Sequence, residues 1–243
     1  MEQQLTGQVA LVTGASSGFG AGMARQLAKN GATVFILARR VEKLVQVAAE
    51  TGAIPVTGDI TKTEDWNRVF EQIRKKEGRL DVLINNAGSG GTIKQLEEQD
   101  DLAIQNTIHT NLTSVIWGSK RAAVIMKKQK SGTIINISSV CAVKAWSGWG
   151  IYGAAKAGLE QFTRHLYVEL RPFGVKVTIL RPSWGATEFM EASQLETFDR
   201  ETGKKIIQPD EIGNMVVDIC RMPAHLLVPE ISLYPMVQEI NPY

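Results

Sequence analysis

A chain of 243 residues with 44% hydrophobic and 21% charged side chains has the material to bury the core of one α/β domain or two small ones. Its net charge of +2, with basic pairs such as Arg39-Arg40 and Lys127-Lys128 only scattered, argues against a nucleic-acid-binding face. Two distant cysteines (Cys141, Cys220) and three dispersed histidines (His109, His165, His225) make neither a C-x-x-C nor a zinc spacing, so no metal site is expected. Sparse cysteine use fits a reducing compartment. Residues 1–6 lack the basic-then-apolar order of a signal peptide. The longest apolar runs are strand-sized, far short of the ~20 residues that span a bilayer. A soluble, cytoplasmic protein without a membrane partner is the expectation.

Short apolar runs alternate with longer amphipathic ones. Residues 9–13 read as a buried strand, and a helix over about 18–30 follows, stopped by Gly31. Strands are expected at 33–37 and 53–57, with Pro55 pointing to a sheet edge. Helices over 41–51 and about 63–76 end at Gly52 and Gly78. A fourth strand at 81–84 precedes helical stretches over about 97–111 and 112–128. A fifth strand is placed at 133–138. A long helix over 148–170 is closed by Pro172 and Gly174. A sixth strand occupies 175–180. Residues 183–208 show weak periodicity. A helix over 209–221 has Pro209 suited to its first turn, and 225–233 supplies a seventh strand. The unbroken alternation predicts right-handed βαβ units, a parallel sheet of about seven strands with helices on both faces, and one doubly wound α/β domain over residues 1–243.

Between the first strand and first helix stands Thr13-Gly-Ala-Ser-Ser-Gly-Phe-Gly20. Glycines at 14, 18 and 20 permit a tight turn, close approach of a pyrophosphate to backbone, and close helix packing. The helix N-terminus offers unpaired N–H groups to phosphates. A plain tight turn is the alternative, and the position after the first strand weighs against it. The second strand ends in Leu37-Ala-Arg-Arg40, with no acid before Glu42. An acid there would hold ribose hydroxyls, and an Arg accommodates a 2′-phosphate. NADP(H) is therefore expected, with Arg39 the first choice of partner and Arg40 the second; the alternative is solvated surface charge. Asp59 either accepts from the adenine amine or is a helix N-terminal carboxylate beside Thr61. Asn85-Asn-Ala-Gly88, after the fourth strand, either lets backbone approach the ligand or is a polar turn.

Tyr152 and Lys156 are four residues apart in Tyr-Gly-Ala-Ala-Lys, on one face of a helix. A phenol titrates near pH ~10, and a neighbouring ammonium is expected to lower that value. Tyr-x-x-x-Lys also recurs by chance on ordinary helices. Here Ser139 lies thirteen residues upstream, and Asn111 follows the fourth strand. Alternatively, Ser138 and Ser139 merely cap a strand end, Asn111 marks a helix break, and Tyr152 is a packed aromatic.

Together Thr13-Gly-x-x-x-Gly-x-Gly20, Asn85-Asn-Ala-Gly88, Asn111, Ser139 and Tyr152-x-x-x-Lys156 resemble the classical short-chain dehydrogenases/reductases over nearly the whole chain. The resemblance implies a Rossmann fold and a catalytic set of Asn111, Ser139, Tyr152 and Lys156. Tyr152 would be the general acid in carbonyl reduction and the base in alcohol oxidation. Lys156 would lower its pKa and bind the nicotinamide ribose. Ser139, rather than Ser138, would hydrogen-bond the carbonyl oxygen, and Asn111 would hold a proton-relaying water. The implied cofactor residues are Gly14, Ser16, Ser17, Gly18, Phe19, Gly20, Arg39, Arg40, Asp59, Ile60, Asn86, Ala87, Gly88, Pro182 and Thr187, together with Tyr152 and Lys156. The resemblance also implies a homo-oligomer, tetramer or dimer, built on the helices beginning near Glu97 and Gly148.

Two departures stand out. Arg181-Pro-Ser-Trp-Gly185 replaces the family's Pro-Gly, and the Asp-Gly-Gly ending is missing, with 222–236 resembling NADP-dependent enzymes of 3-hydroxy acids and varied carbonyls. Specificity is expected in segment 183–208, since loops over a rigid sheet carry binding residues. Trp146, Trp149, Trp184, Phe189 and Met190 make that region aromatic, as a hydrophobic pocket, a packed lid or a subunit contact. The expected activity is reversible NADPH-dependent reduction of a hydrophobic ketone or aldehyde. The alternatives are oxidative turnover of an alcohol or 3-hydroxy acid, and a non-catalytic NADP(H) sensor, against which the intact Ser, Tyr, Lys and Asn weigh.

Overall fold

Seven runs rich in Val, Ile and Leu form parallel strands: β1 (Val9–Thr13), β2 (Thr33–Ala38), β3 (Ile54–Thr57), β4 (Val82–Asn85), β5 (Gly132–Ile137), β6 (Val175–Pro182) and β7 (Glu230–Leu233). The computed structural model describes residues 5–193, 195 and 197–239, and in it the strands make one sheet in the order β3-β2-β1-β4-β5-β6-β7. β3 carries Pro55 at the edge, as expected. The order reverses between β1 and β4, and such a switch point opens a crevice at the strands' carboxyl ends.

Between the strands lie α1 (Gly18–Lys29), α2 (Val41–Thr51), α3 (Thr63–Glu77), α4 (Asp101–Ile108), α5 (Ser114–Gln129), α6 (Gly150–Leu170), the short α7 (Phe189–Ala192) and α8 (Arg200–Lys205), and α9 (Pro209–Arg221). Strand side chains alternate between two buried layers. Ala10, Val12, Val34 and Ile36 pack with α1, α2 and α9 through Leu27, Leu44 and Val216. Val9, Leu11, Phe35 and Leu37 pack with α3, α5 and α6 through Trp66, Met126 and Leu166. Burying each such side chain is worth roughly 1.5–3 kcal/mol. Both sheet faces are therefore dry, which is why the strands read as continuous apolar runs rather than alternating ones.

Most boundaries fall within one or two residues of expectation. Gly52 and Gly78 close α2 and α3 in the left-handed conformation. Pro209 opens α9, where Gln208 and Glu211 form a reciprocal capping box. The stretch expected as two helices over 97–111 and 112–128 differs. Asp100 accepts from the Ala103 amide and so starts α4 at residue 101. The helix then runs through a π turn over His109–Thr113 directly into α5. No Gly or Pro breaks the chain there, so it stays helical and widens by one residue. Segment 183–208 contains α7, α8 and a parallel bridge between Gly185 and Ile207; its Gln194 and Glu196 lie outside the described residues.

α1 and α9 meet through glycines. A Cβ added to Gly22 would lie 2.1 Å from the Pro209 carbonyl oxygen, and one on Gly213 would lie 2.6 Å from the Gly22 carbonyl. Arg25 pairs with Asp210 across the same contact at 2.5 Å. This contact fixes the helix behind the Gly-rich turn. Gly22→Ala should cost about 1–3 kcal/mol of stability through overpacking, read as a lower urea midpoint with an unchanged m-value; a midpoint equal to wild type would refute the tight contact.

Candidate active site

The carboxyl ends of β1, β2, β4, β5 and β6 surround a cavity of about 1050 Å³. Every sequence-predicted site residue lines it: Gly14, Ser16, Ser17, Gly18, Phe19, Gly20, Arg39, Arg40, Asp59, Ile60, Asn86, Ala87, Gly88, Asn111, Ser139, Tyr152, Lys156, Pro182 and Thr187.

Backbone sterics build the first wall. Gly14 has φ +66°, and a Cβ there would lie 2.7 Å from Ala87 Cα; a Cβ on Gly20 would lie 2.3 Å from the Gly14 carbonyl oxygen. The turn is also stitched to β4. Thr13 Oγ1 accepts from the Asn86 and Ala87 amides at 3.0 Å each, and Asn86 Nδ2 donates to the Thr13 and Gly14 carbonyls. Asn85 donates to Ser119 and to Asn136 on β5. The Asn-Asn pair therefore joins three elements, beyond the simple polar turn. No side chain caps α1, whose N-cap Ser17 is extended, and Ser17, Gly18, Phe19 and Gly20 line the cavity.

The two arginines diverge. Arg40 turns toward the glycine turn: Nη2 donates to Ser17 Oγ at 2.6 Å and to Ser16 Oγ at 3.1 Å, and Nε reaches Ser16 Oγ at 3.2 Å. Nη1 meets a Glu188 carboxylate oxygen at 2.5 Å, and Lys43 meets the other at 2.5 Å. These two cations, Lys43 first, hold Glu188 down at about 2. Arg39 is three-quarters exposed and stands 3.9 Å from Asp59. Asp59 Oδ1 accepts from the Thr61 amide at 2.9 Å and hydroxyl at 2.8 Å. Its turn-capping role is thus realised, while Oδ2 faces Arg39.

At the other end, Tyr152 and Lys156 share the inner face of α6, 6% and 4% exposed. Lys156 Nζ lies 5.7 Å from the Tyr152 ring centre and donates to the Ile137 carbonyl at 2.9 Å. Burial pulls its ammonium down to about 8, an effect that Cys141 and Glu160 partly oppose. Burial pushes the Tyr152 phenol well above its ordinary value; the Ser139 hydroxyl, within hydrogen-bonding reach, opposes this. The lowering expected from Lys156 is absent: the phenol is enclosed by Trp149 and Phe189, each with its ring centre 5.6 Å away, Cys141 adds to the rise, and the ammonium turns to a backbone carbonyl. Cys141 follows Ser139 closely, and its amide donates to Ser139 Oγ at 3.2 Å.

Asn111 sits in the π turn, fully buried. A π turn shifts bonding from i−4 to i−5, and the Asn111 amide caps the Thr107 carbonyl at 3.0 Å. It also donates to the Ser89 carbonyl at 2.8 Å and accepts from the Ser89 amide at 3.3 Å. Its side chain thus ties the helix bend to the 88–89 turn beside Lys156.

Sequence reasoning missed Glu160, one helical turn beyond Lys156. Glu160 accepts from Ser138 Oγ at 2.7 Å and from Arg181 Nε and Nη2 at 2.7 and 2.6 Å. The i+4 spacing from Lys156 was a usable signal. Lys43 and Glu188 were missed too; only the i+3 spacing of Arg40 and Lys43 hinted at a shared face. The Ser183-Trp184 departure is accommodated. The Ser183 amide extends the ladder to Leu233 at 3.0 Å, Trp184 packs on Phe198, and Gly185 takes the close approach, since a Cβ there would lie 2.1 Å from the Phe19 ring. Among the described residues, no group of three metal-ligating side chains occurs and no helix is long and apolar enough to cross a membrane.

Residues 8–197 match the model of the short chain dehydrogenase family. The chain is 34% identical over 241 residues to a farnesol dehydrogenase of Aedes aegypti, covering 95% of this chain and 96% of the relative. A solved alcohol dehydrogenase of the archaeon Thermococcus sibiricus, complexed with 5-hydroxy-NADP, superposes with a TM-score of 0.86 at 28% identity, covering 96% and 99% of the two chains. A 3-ketoacyl-(acyl-carrier-protein) reductase of Brucella melitensis, complexed with NADH, gives 0.87 at 28% identity, covering 96% and 98%. The glycine turn and the Ser139, Tyr152 and Lys156 cluster line one crevice, and the chain belongs to the short-chain dehydrogenase family.

Proposed function

We propose that this protein is an NADP(H)-dependent oxidoreductase that reversibly reduces a hydrophobic ketone or aldehyde to its alcohol. The observation that carries this reading is one cavity lined both by the Arg40, Ser16 and Ser17 cluster and by Ser139, Tyr152 and Lys156. Arg40 presents a planar donor fork suited to phosphate, and Arg39 beside Asp59 flanks the adenosine side. The collisions a Cβ would suffer at Gly14 and Gly20 support a turn tight enough for backbone amides to meet a pyrophosphate. Lys156 is assigned to the nicotinamide ribose, and Pro182 and Thr187 to the nicotinamide side.

Bound NADPH supplies the hydride. Ser139 Oγ hydrogen-bonds the substrate carbonyl oxygen, where negative charge develops. Tyr152 delivers its phenolic proton to that oxygen, and burial, which keeps the phenol protonated, favours the donor form. Lys156, held by the Ile137 carbonyl and charged below about 8, supplies the positive charge that stabilises the phenolate left behind. Asn111 anchors the wall next to it. Trp149 and Phe189, nearly parallel with centres 6.3 Å apart, give the substrate an aromatic surface with no guanidinium, which suits an apolar chain more than a phosphorylated sugar. The farnesol dehydrogenase relative supports a second reading, oxidation of a hydrophobic alcohol by the same groups in reverse. The segment over residues 183–208 is assigned to substrate selection. We also propose a homo-oligomer, since Leu102, Val124 and Val168 are exposed on α4, α5 and α6; a monomer by light scattering would remove that assignment.

NADPH oxidation in the presence of hydrophobic ketones, aldehydes and 3-keto esters is the direct test, with NADP reduction by long-chain alcohols as its reverse arm. Tyr152→Phe should remove nearly all turnover and leave the NADPH Kd close to wild type. Turnover within a factor of about ten, or ~1.4 kcal/mol of barrier, would exclude Tyr152 as the acid.

Lys156 also makes a pH prediction. Its folded value of about 8 lies below the ordinary 10.5, so the unfolded chain binds more protons between those limits and stability rises with pH there. The burial penalty is complete below pH 8 and absent above 10.5. The unfolding free energy of wild type should therefore climb relative to Lys156→Met across that window. A constant difference in parallel urea titrations would contradict a desolvated lysine.

A further inference from the structure

We propose that Lys43 joins Arg40 in binding the 2′-phosphate of NADP(H), and that Glu188 is a built-in competitor for the same two cations, so that phosphate binding displaces the start of α7. The proposal rests on the NADP(H) reading above and concerns how that cofactor is admitted.

The geometry around Glu188 is that of an oxyanion site with its anion supplied by the chain. One carboxylate oxygen meets Arg40 Nη1 and the other meets Lys43 Nζ, each at 2.5 Å. Ser16 and Ser17 hold the far edge of the same guanidinium. The cluster stands just past the carboxyl end of β2, where a 2′-substituent on the adenosine ribose arrives. Charge counting decides between coexistence and exchange. A phosphate monoester carries about −1.5 to −2 at neutral pH. Against Arg40 and Lys43 alone that charge is matched. With Glu188 still in place the site holds one carboxylate too many, and like charges at hydrogen-bond distance repel. Glu188 is ionised throughout the neutral range, so protonation does not relieve the conflict and the carboxylate has to move.

The consequence reaches the catalytic end through three consecutive residues. Thr187 packs over Gly18, where a Cβ would lie 3.0 Å from the threonine side chain. Glu188 precedes α7, and Phe189, its first residue, covers Tyr152. Moving Glu188 therefore loosens the aromatic wall over the phenol. NADH, which has no 2′-phosphate, leaves the Glu188 contacts intact.

The experiment is equilibrium binding of NADPH and of NADH to the full chain, followed by nucleotide fluorescence, for wild type, Glu188→Gln and Lys43→Met. Glu188 and Lys43 are about half exposed, and a thermal melt checks that both variants fold. Glu188→Gln should tighten NADPH about tenfold and leave NADH within about twofold. Lys43→Met should weaken NADPH by a similar factor and leave NADH unchanged. An NADPH Kd unaltered or weakened by Glu188→Gln, or equal shifts for both nucleotides, would overturn the competitor role. An NADH Kd that moves with Lys43→Met as much as the NADPH Kd would overturn the phosphate assignment. Wild type binding NADH as tightly as NADPH would instead remove the NADP(H) reading itself, and this proposal with it.

Discussion

The buried pair between Glu160 and Arg181 is the constraint on which the catalytic end depends. Glu160 is on α6, Arg181 near the end of β6, and Ser138 just past β5; one carboxylate, 2% exposed, bonds both partners. Arg181 reaches on to Glu230 and Ser232 of β7. A buried ion pair of this kind contributes little net stability, because desolvation offsets its attraction. What it contributes is registry. A small slide of α6 along the sheet would strand a charge in the core. Tyr152 and Lys156, two turns and one turn before Glu160, are thereby held at a set height above the strand ends, and Ser139 is held through its neighbour Ser138.

The cofactor end obeys a different logic, steric rather than ionic. β1 and β4 are neighbours whose connections leave on opposite sides, and their carboxyl ends must close over one crevice. Thr13 and Asn86 bridge the strands by side-chain-to-backbone bonds, and the glycines allow backbone contacts that any Cβ would block. Rigidity here and registry at α6 define the two ends of the cavity independently. The segment from Gly185 through α7 is held by the backbone bridge to Ile207 at its start and, beyond Thr187, by surface ion pairs and ring contacts. Surface ion pairs are individually weak.

Burial sets the electrostatics of Tyr152 and Lys156. Burial, which Trp149 and Phe189 supply around the Tyr152 ring, raises the phenol, and burial on the inner face of α6 depresses the Lys156 ammonium. The phenol is kept protonated, while the ammonium, at about 8, stays charged at neutral pH. The simple expectation from i,i+4 spacing, a phenol lowered by its lysine, treated the pair as if in water.

The sheet, its strand count and most helix limits were legible because burial on both faces makes apolar runs continuous and because Gly and Pro mark their ends. The glycine turn, Ser139 and the Tyr-Lys pair were legible because each depends on spacing within a few residues. The π turn at Asn111 was not, since nothing in the composition of 109–113 distinguishes it from α-helix. The divergence of the Arg39 and Arg40 side chains was also hidden, because neighbouring residues at a strand end turn according to what waits opposite them. Glu188 lies 148 residues from Arg40, and Glu160 meets Arg181 only where α6 crosses the end of β6. Local periodicity and turn chemistry thus determined the elements and marked the side chains that line the cavity. Only the tertiary structure decided which charges neutralise which, because an ion pair depends on distance in space and leaves no period in the chain.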